Sequence, residues 1–490
     1  MSARATARAR GQKRAATAVS RPATESVVRE TTRPIDQPTG DASPELTRLG
    51  RYGWVSGVAG AVTVLGMGYV ASRRNALEQG WGLLRDDGEP NRHVATAFAL
   101  LVCMLVMFAV ELGVRLRVDR GRVFSVAEDV RAGRLGRFLV QCLKVYALEL
   151  GLLCGVLSLY KVVNEYGYAA KNAYYEPWFA IIPYVQWTYA VLGFPYVVLT
   201  RALQHDPQAD RKQAAFVLMK VLGRAARWAG VRRGEPEAFD AYDRSAVLGL
   251  FVKAFFVPLM TVFFADQFSH LVGNWGYLVD TVVKKGSPMG VRDVWNVSHT
   301  VIFSVDVGLA WAGYVLSSRW IRNTLFSVEP TLLGWSVALV CYPPFQTVMG
   351  YYFSTPSESA FLELDSPLVV KLLLTFSVAS FAVYTASTAC FGLRFSNLTH
   401  RGIITTGPYA VVRHPAYAAK NFSWWCVMFP VALHQVATGH GGAFFEIAGL
   451  VAMTGIYAMR AATEERHLGR DPEYRAYAAR VRYRFIPGVF

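Results

Sequence analysis

The feature that most constrains this chain is a series of apolar blocks, separated by short polar and basic segments. Each block runs for about 17 to 25 residues, the length an α-helix needs to cross a hydrocarbon core of about 30 Å. The pattern predicts an all-α polytopic transmembrane bundle of about ten spans. Candidate spans fall at Trp54–Ser72, Val94–Val114, Phe138–Tyr160, Trp178–Leu199, Ser245–Phe268, Val294–Leu316, Leu332–Phe353, Leu368–Phe391, Asn421–His434 and Phe444–Ala462. The ninth is short enough to be half of a helical hairpin.

Charge gives the orientation. The formal net charge is +16, yet the basic residues are not gathered into a stripe with interleaved aromatics, so nucleic acid is not the expected partner. They lie between the apolar blocks, as they do when cytoplasmic loops collect Lys and Arg. The segments after the second, fourth, sixth and eighth spans hold Arg115/Arg117/Arg120/Arg122, Arg224/Arg227/Arg232/Arg233, Arg319/Arg322 and Arg394/Arg401/Arg413. The loop after the seventh span offers Glu358, Glu363 and Asp365 without a Lys or Arg, and the loop after the ninth has no charged residue. Ten spans therefore place both termini in the cytoplasm. The Ala/Arg/Gly/Val-rich composition suits a bacterial inner membrane.

Residues 1–50 carry nine Lys or Arg with few large apolar residues, which predicts a disordered basic cytoplasmic tail. They contain no apolar core of a cleavable signal peptide. Residues 51–370 form an amino-terminal bundle, and 371–490 a carboxyl-terminal domain. Within the first, residues 205–240 contain a cytoplasmic amphipathic stretch. From Asp210 to Gly234, Phe216, Val217, Val221, Leu222 and Trp228 alternate with Arg211, Lys212, Lys220, Arg224 and Arg227. That pattern suits a helix lying on an anionic leaflet.

Several signals carry less. The six cysteines lie in or beside apolar blocks with no CxxC pair, so neither disulfides nor metal ligands are expected. Gly66, Gly68 and Ala71 spell GxGxxA, but inside the first span, where small residues let helices approach. His299 and Asp306 share a face of the sixth span, and Glu111 and Glu149 lie in the second and third. Ionisable residues are costly there and mark either interhelical hydrogen bonds or a polar path.

Polar, Gly and Pro residues concentrate from Phe395 to Tyr409, followed by Val-Val-Arg413-His414-Pro415-Ala-Tyr417. Gly407-Pro408 signals a turn, and Pro415 suits the first position of a helix. Arg413 and His414 then sit at the positive end of that helix, a setting suited to a carboxylate or phosphate. After an apolar hairpin come Glu464-Glu465, then Tyr474, Tyr477 and a basic run through Arg482 and Arg484. A hairpin brings its ends together, so the carboxylate pair is expected to face Arg413 and His414.

GPYxxVRHPxY, an apolar hairpin, then EExxLxxxxxYxxYxxxVxxxxIP resembles the isoprenylcysteine carboxyl methyltransferase and phospholipid methyltransferase group over residues 391–490. The resemblance implies a membrane methyltransferase that binds S-adenosyl-L-methionine at the cytoplasmic face. Carried over position by position, Tyr409, Arg413, His414, Pro415 and Tyr417 form the first half of the cofactor site. Glu464 and Glu465 form the second, closed by Tyr474, Tyr477 and Arg484. Arg413 suits the ligand's carboxylate, and Glu464 or Glu465 its ammonium or ribose hydroxyls. Arg413, His414 and Glu464 are the residues implied to act in catalysis; His414 or a glutamate takes the proton if the acceptor is an amine. The acceptor is implied to be hydrophobic, an isoprenoid, lipid or prenylated molecule arriving from the membrane lipids. No metal is implied.

One departure from the family is visible. A small Gly often follows the last tyrosine of the first motif, whereas here Ala418-Ala419-Lys420-Asn421 follow, with Trp424 and Trp425 beyond. Lys420 and Asn421 become candidates for contacts to cofactor or substrate. Two other functions fit the pattern. The ending Tyr483-Arg-Phe-Ile-Pro-Gly-Val-Phe490 also resembles membrane sterol reductases, which take NADPH and reduce a ring double bond. A non-enzymatic lipid-binding or scaffold protein that keeps this fold is the other. Transport is disfavoured, because neither an internal repeat nor paired broken spans are evident.

Overall fold

The structure is a computed structural model that describes residues 50–75, 78, 92–118, 123–162, 173–203, 213–231, 234–235, 237–347, 350 and 355–489. The expected tail, residues 1–49, lies outside them, as do Arg120, Arg122, Arg211, Lys212, Arg232 and Arg233. The chain runs through α1 (Gly53–Arg73), α2 (Arg92–Val118), α3 (Leu135–Val162), α4 (Glu176–Leu203), α5 (Ala214–Trp228) and α6 (Ala241–Tyr277). It continues through α7 (Val291–Val315), α8 (Leu332–Leu339), α9 (Pro367–Phe391), α10 (Pro415–Ala437), α11 (Ala443–Leu468) and α12 (Pro472–Arg480). Among the described residues the sheet is confined to β1 (Ser327–Val328) and β2 (Thr399–His400), antiparallel with Ser327 opposite His400.

The protein is thus an all-α, multi-pass bundle of membrane type. Among the described residues seven helices are long and apolar enough to cross a membrane: α1 to α4, α6, α9 and α11. α7 and α10, at 25 and 23 residues, have the length for about 30 Å of hydrocarbon but are not among the seven. The ninth expected span, Asn421–His434, proves longer than its apolar run because the helix begins at Pro415, where a missing N–H costs nothing.

The seventh expected span differs. α8 stops after eight residues, about 12 Å, and turns follow through Phe345. Pro343 and Pro344 supply no N–H to continue a helix and push the preceding backbone out of helical geometry. Leu332–Phe353 is therefore not one continuous crossing, and α8 instead packs along α11.

α1 lies at the centre of the bundle, against α2, α6, α7 and α9. Glycines make this possible. A Cβ on Gly57 would stand 2.0 Å from the Ala389 carbonyl oxygen, and one on Gly68 2.7 Å from Leu271 Cδ2. Gly66 faces open space, so only part of the GxGxxA stretch serves helix approach.

Polar side chains inside the bundle find one another. Glu111 on α2 pairs with Arg394 just beyond α9, both under 6% exposed, and Ser56 Oγ donates to Glu111 Oε2 at 3.2 Å. Tyr189 on α4 donates to Glu149. These two acids act as interhelical ties. The amphipathic stretch forms α5, which buries Ala215, Val217 and Gly223 against α3 and α6 while Lys220 Nζ meets Asp243 Oδ2 at 2.8 Å. Met219, Val221, Leu222 and Trp228 remain exposed.

Candidate functional site

α10 and α11 form the expected hairpin, and its open ends, away from the connecting turn, bring the two motif halves together. Gly407–Ala410 makes a 3₁₀ turn that Gly407 enters at φ 62°. Val411 and Val412 follow, then Arg413, His414 and Pro415 start α10. The expected anion site at this helix start is altered by the chain's own end: the N–H groups of Arg413 and His414 donate to the carbonyls of Tyr483 and Arg484 at 3.0 and 2.9 Å. The carboxyl-terminal run is thereby stitched to the start of α10.

Glu465 is the hub of the charges. Arg484 Nη2 lies 2.9 Å from its Oε2, and His414 Nε2 3.2 Å from its Oε1. Arg413 Nε also lies 3.2 Å from Oε1, as an ion pair without hydrogen-bond alignment. The carboxylate is only 11% exposed. Glu464, at 33%, is more open. It accepts the Tyr417 hydroxyl, and its Oε2 stands 3.7 Å from His414 Nδ1. His414 in turn stacks on Tyr417, ring centres 5.6 Å apart and nearly parallel.

Tyr409, Tyr474 and Tyr477 form a second wall. Tyr477 donates to the Tyr409 carbonyl at 2.8 Å, and Tyr474 packs beside Tyr477. Burial drives all three phenols well above their ordinary pKa. They are neutral hydroxyls at any physiological pH. Tyr474 Oη is buried without a hydrogen-bond partner among the described residues.

These groups border a cavity of about 180 Å³. Of the ten residues singled out in the sequence, Tyr409, Arg413, His414, Tyr417, Glu464, Tyr474 and Tyr477 line it; Pro415, Glu465 and Arg484 stand behind them. The remaining lining includes residues that sequence reasoning passed over. Arg460, one turn before Glu464, lies over the rings of Tyr417 and Tyr457 and donates to Asn397 Oδ1 at 3.1 Å. An isolated Arg in an apolar hairpin was the available signal. Arg401 donates to the Gly313 carbonyl at 2.7 Å, and burial lowers its pKa to about 10. His400 Nε2 meets Asp471 Oδ2 at 2.7 Å, tying β2 to the start of α12.

The cavity also extends along α10 into the bundle. Asp306 on α7 accepts Tyr384 at 2.7 Å and Thr388 at 2.5 Å, both from cavity-lining positions on α9. His299 Nε2 lies 3.0 Å from Glu358 Oε2, and Trp424 donates to Glu358 Oε1 at 2.8 Å. Burial opposes ionisation of Glu358, but the contacts from His299 and Trp424, together with the nearby Lys420 charge, outweigh it and hold its pKa below the ordinary 4.5. Among the described residues no cluster of His, Cys, Asp and Glu is arranged to hold a metal ion.

A family described as "Protein of unknown function (DUF1295)" matches residues 331–481, from the start of α8 to the end of α12. The cavity-lining residues from Tyr342 to Tyr477 fall within this region. Neither the curated proteins nor the solved structures contain a match to the chain.

Proposed function

We propose that this protein is an S-adenosyl-L-methionine-dependent membrane methyltransferase. In this reading it acts on a hydrophobic acceptor, an isoprenoid, lipid or prenylated molecule, at the cytoplasmic face of a bacterial inner membrane. The carrying observation is the division of labour between adjacent carboxylates. Glu465 is engaged by Arg413, His414 and Arg484, which leaves Glu464 beside the cavity with Tyr417 as its one hydrogen-bond donor among the described residues.

The residues present fit that cofactor. Glu464 suits ribose hydroxyls or an ammonium, the stacked His414 and Tyr417 offer flat faces, and the buried Tyr474 hydroxyl offers an unfilled donor. Arg413 is the cation nearest to receive a carboxylate, although it leans on Glu465 here. When bound, the cofactor supplies an electrophilic methyl group on a sulfonium. The protein's part is positioning: the hairpin fixes Tyr417 and Glu464, the carboxyl-terminal run locks His414, and the aromatic wall excludes water. If the acceptor is an amine or alcohol, His414 stands ready to take its proton.

A second reading rests on Tyr384. Double-bond reduction with NADPH requires a proton donor beside the acceptor, and the candidate is the cavity-lining Tyr384 hydroxyl, whose proton Asp306 holds here. The matched family's relation to steroid 5-alpha reductase-like membrane proteins also favours it. Charge weighs against it. NADPH brings several phosphates, whereas Arg394 is engaged by Glu111, Arg401 by carbonyls and Arg413 by Glu465, which leaves Lys420 and Arg460 as the lining cations without a carboxylate at ion-pair distance among the described residues.

The test is transfer of labelled methyl from S-adenosylmethionine into the organic phase of a bacterial membrane extract by the full chain in lipid nanodiscs. Label that disappears in His414→Ala is the expected result. No label from folded protein, together with NADPH consumption, would replace this reading with the reductase.

A further inference from the structure

Lys420 lies two turns inside α10, on the face that carries Tyr417 and Trp424. Its ammonium is surrounded by rings: Phe303, Tyr384 and Trp424, at 5.8, 5.3 and 5.1 Å from their centres. It lines the cavity, and no carboxylate among the described residues stands within ion-pair distance of it. Two acids, Asp306 and Glu358, act on it through space from beyond that distance. Asp306 accepts from Tyr384 and Thr388, and Glu358 from Trp424 while lying against His299. A cation inside a helical bundle is costly, and cation–π contacts and acids beyond contact distance offset only part of that cost.

The surroundings hold this cation in place. Trp424 is fixed at its N–H by Glu358, and its ring meets Tyr457, which meets Tyr417 in turn. These edge-to-face rings form one wall from the His414 end of the cavity to Lys420. Six residues of α-helix separate His414 from Lys420, about 9 Å along the axis. A ligand lying along the wall therefore meets the cofactor-type residues at one end and the Lys420 ammonium at the other.

We infer that Lys420 is the specificity-determining residue of the acceptor end and reads an oxyanion, a carboxylate or phosphate, on an amphiphilic substrate. The apolar and aromatic lining takes the hydrocarbon part, and the ammonium offers the oxyanion a direct contact that neither Asp306 nor Glu358 makes with it. Trp424 and Glu358 act as positioning residues, holding the ring that cages the ammonium. The inference deepens the methyltransferase reading in naming the acceptor's charge, but the anion preference itself requires only the cavity and Lys420.

The experiment measures binding of dodecanoate, dodecyl phosphate and dodecanol to the full chain in neutral detergent, followed by tryptophan fluorescence. S-adenosylhomocysteine is titrated in parallel. At least one anionic amphiphile is expected to bind about tenfold more tightly than dodecanol, the size of one charge-assisted hydrogen bond. Lys420→Met should abolish that preference, Lys420→Arg should keep it, and S-adenosylhomocysteine binding should persist in both. Whether carboxylate or phosphate binds better identifies the source of the oxyanion. Equal affinity for all three amphiphiles, or a preference that survives in Lys420→Met, would overturn the inference. An intact anion preference without S-adenosylhomocysteine binding would leave Lys420's role standing and remove the methyltransferase reading instead.

Discussion

Replacing Glu465 with Gln removes the charge on which His414 and two arginines converge while keeping the size of the side chain. His414 and Arg413 are 7% and 14% exposed at their side chains, and each lies 3.2 Å from Glu465. Arg484, at 40% exposed, is screened by water and adds little. Two largely buried charged contacts at about 1–2 kcal/mol each place the loss at roughly 2–4 kcal/mol. Glu464→Gln removes a charge that is 33% exposed and keeps an acceptor for Tyr417, so its cost should stay below about 1 kcal/mol. Its effect belongs to the ligand instead, with S-adenosylhomocysteine affinity falling about tenfold for one lost charge-assisted hydrogen bond. Thermal melts of both variants in detergent, paired with calorimetric titration, separate the two roles. A melting temperature lowered by Glu464→Gln and untouched by Glu465→Gln would refute the assignment.

Three further outcomes follow from the fold. Glu111→Ala leaves Arg394 buried without its partner and should cost about 3–5 kcal/mol, whereas Glu111→Leu with Arg394→Met should recover much of that in thermal unfolding. Gly57→Ala should sharply reduce the yield of folded protein, because its Cβ would meet the α9 backbone; Gly66→Ala, facing open space, should be neutral or slightly stabilising on the same melt. The depressed pKa of Glu358 means that its stabilising ionisation is complete above pH 4.5 and is lost as pH falls through the folded value below it. Thermal stability should therefore drop less between pH 5 and about 3 in Glu358→Gln than in the unaltered chain.

The bundle was legible because membrane helices announce themselves by block length, and nine of the ten expected spans coincide with long helices. The tenth, Leu332–Phe353, misled because hydropathy counts apolar residues without regard to Pro343-Pro344, which break the helix. Arg413, His414 and Glu464-Glu465 could be brought together from sequence because a hairpin joins its ends. What that reasoning could not supply was the partition of charge between Glu464 and Glu465, since neighbouring carboxylates differ only in which way their helix turns them. Nor did it show the partners of Glu111 and Asp306, which come from segments 283 and 82 residues away in the chain. Arg460 and the cage around Lys420 likewise appear only once α7, α9, α10 and α11 are packed.

Isothermal titration of the detergent-purified full chain with S-adenosylhomocysteine, and separately with NADPH, tests the cofactor assignment most directly. Saturable binding of S-adenosylhomocysteine, lost in Glu464→Gln, and none of NADPH is the expected result. NADPH binding alone would contradict the assignment and transfer the cavity to reductive chemistry. Binding of neither, by protein shown to be folded by its thermal melt, would contradict both enzymatic readings.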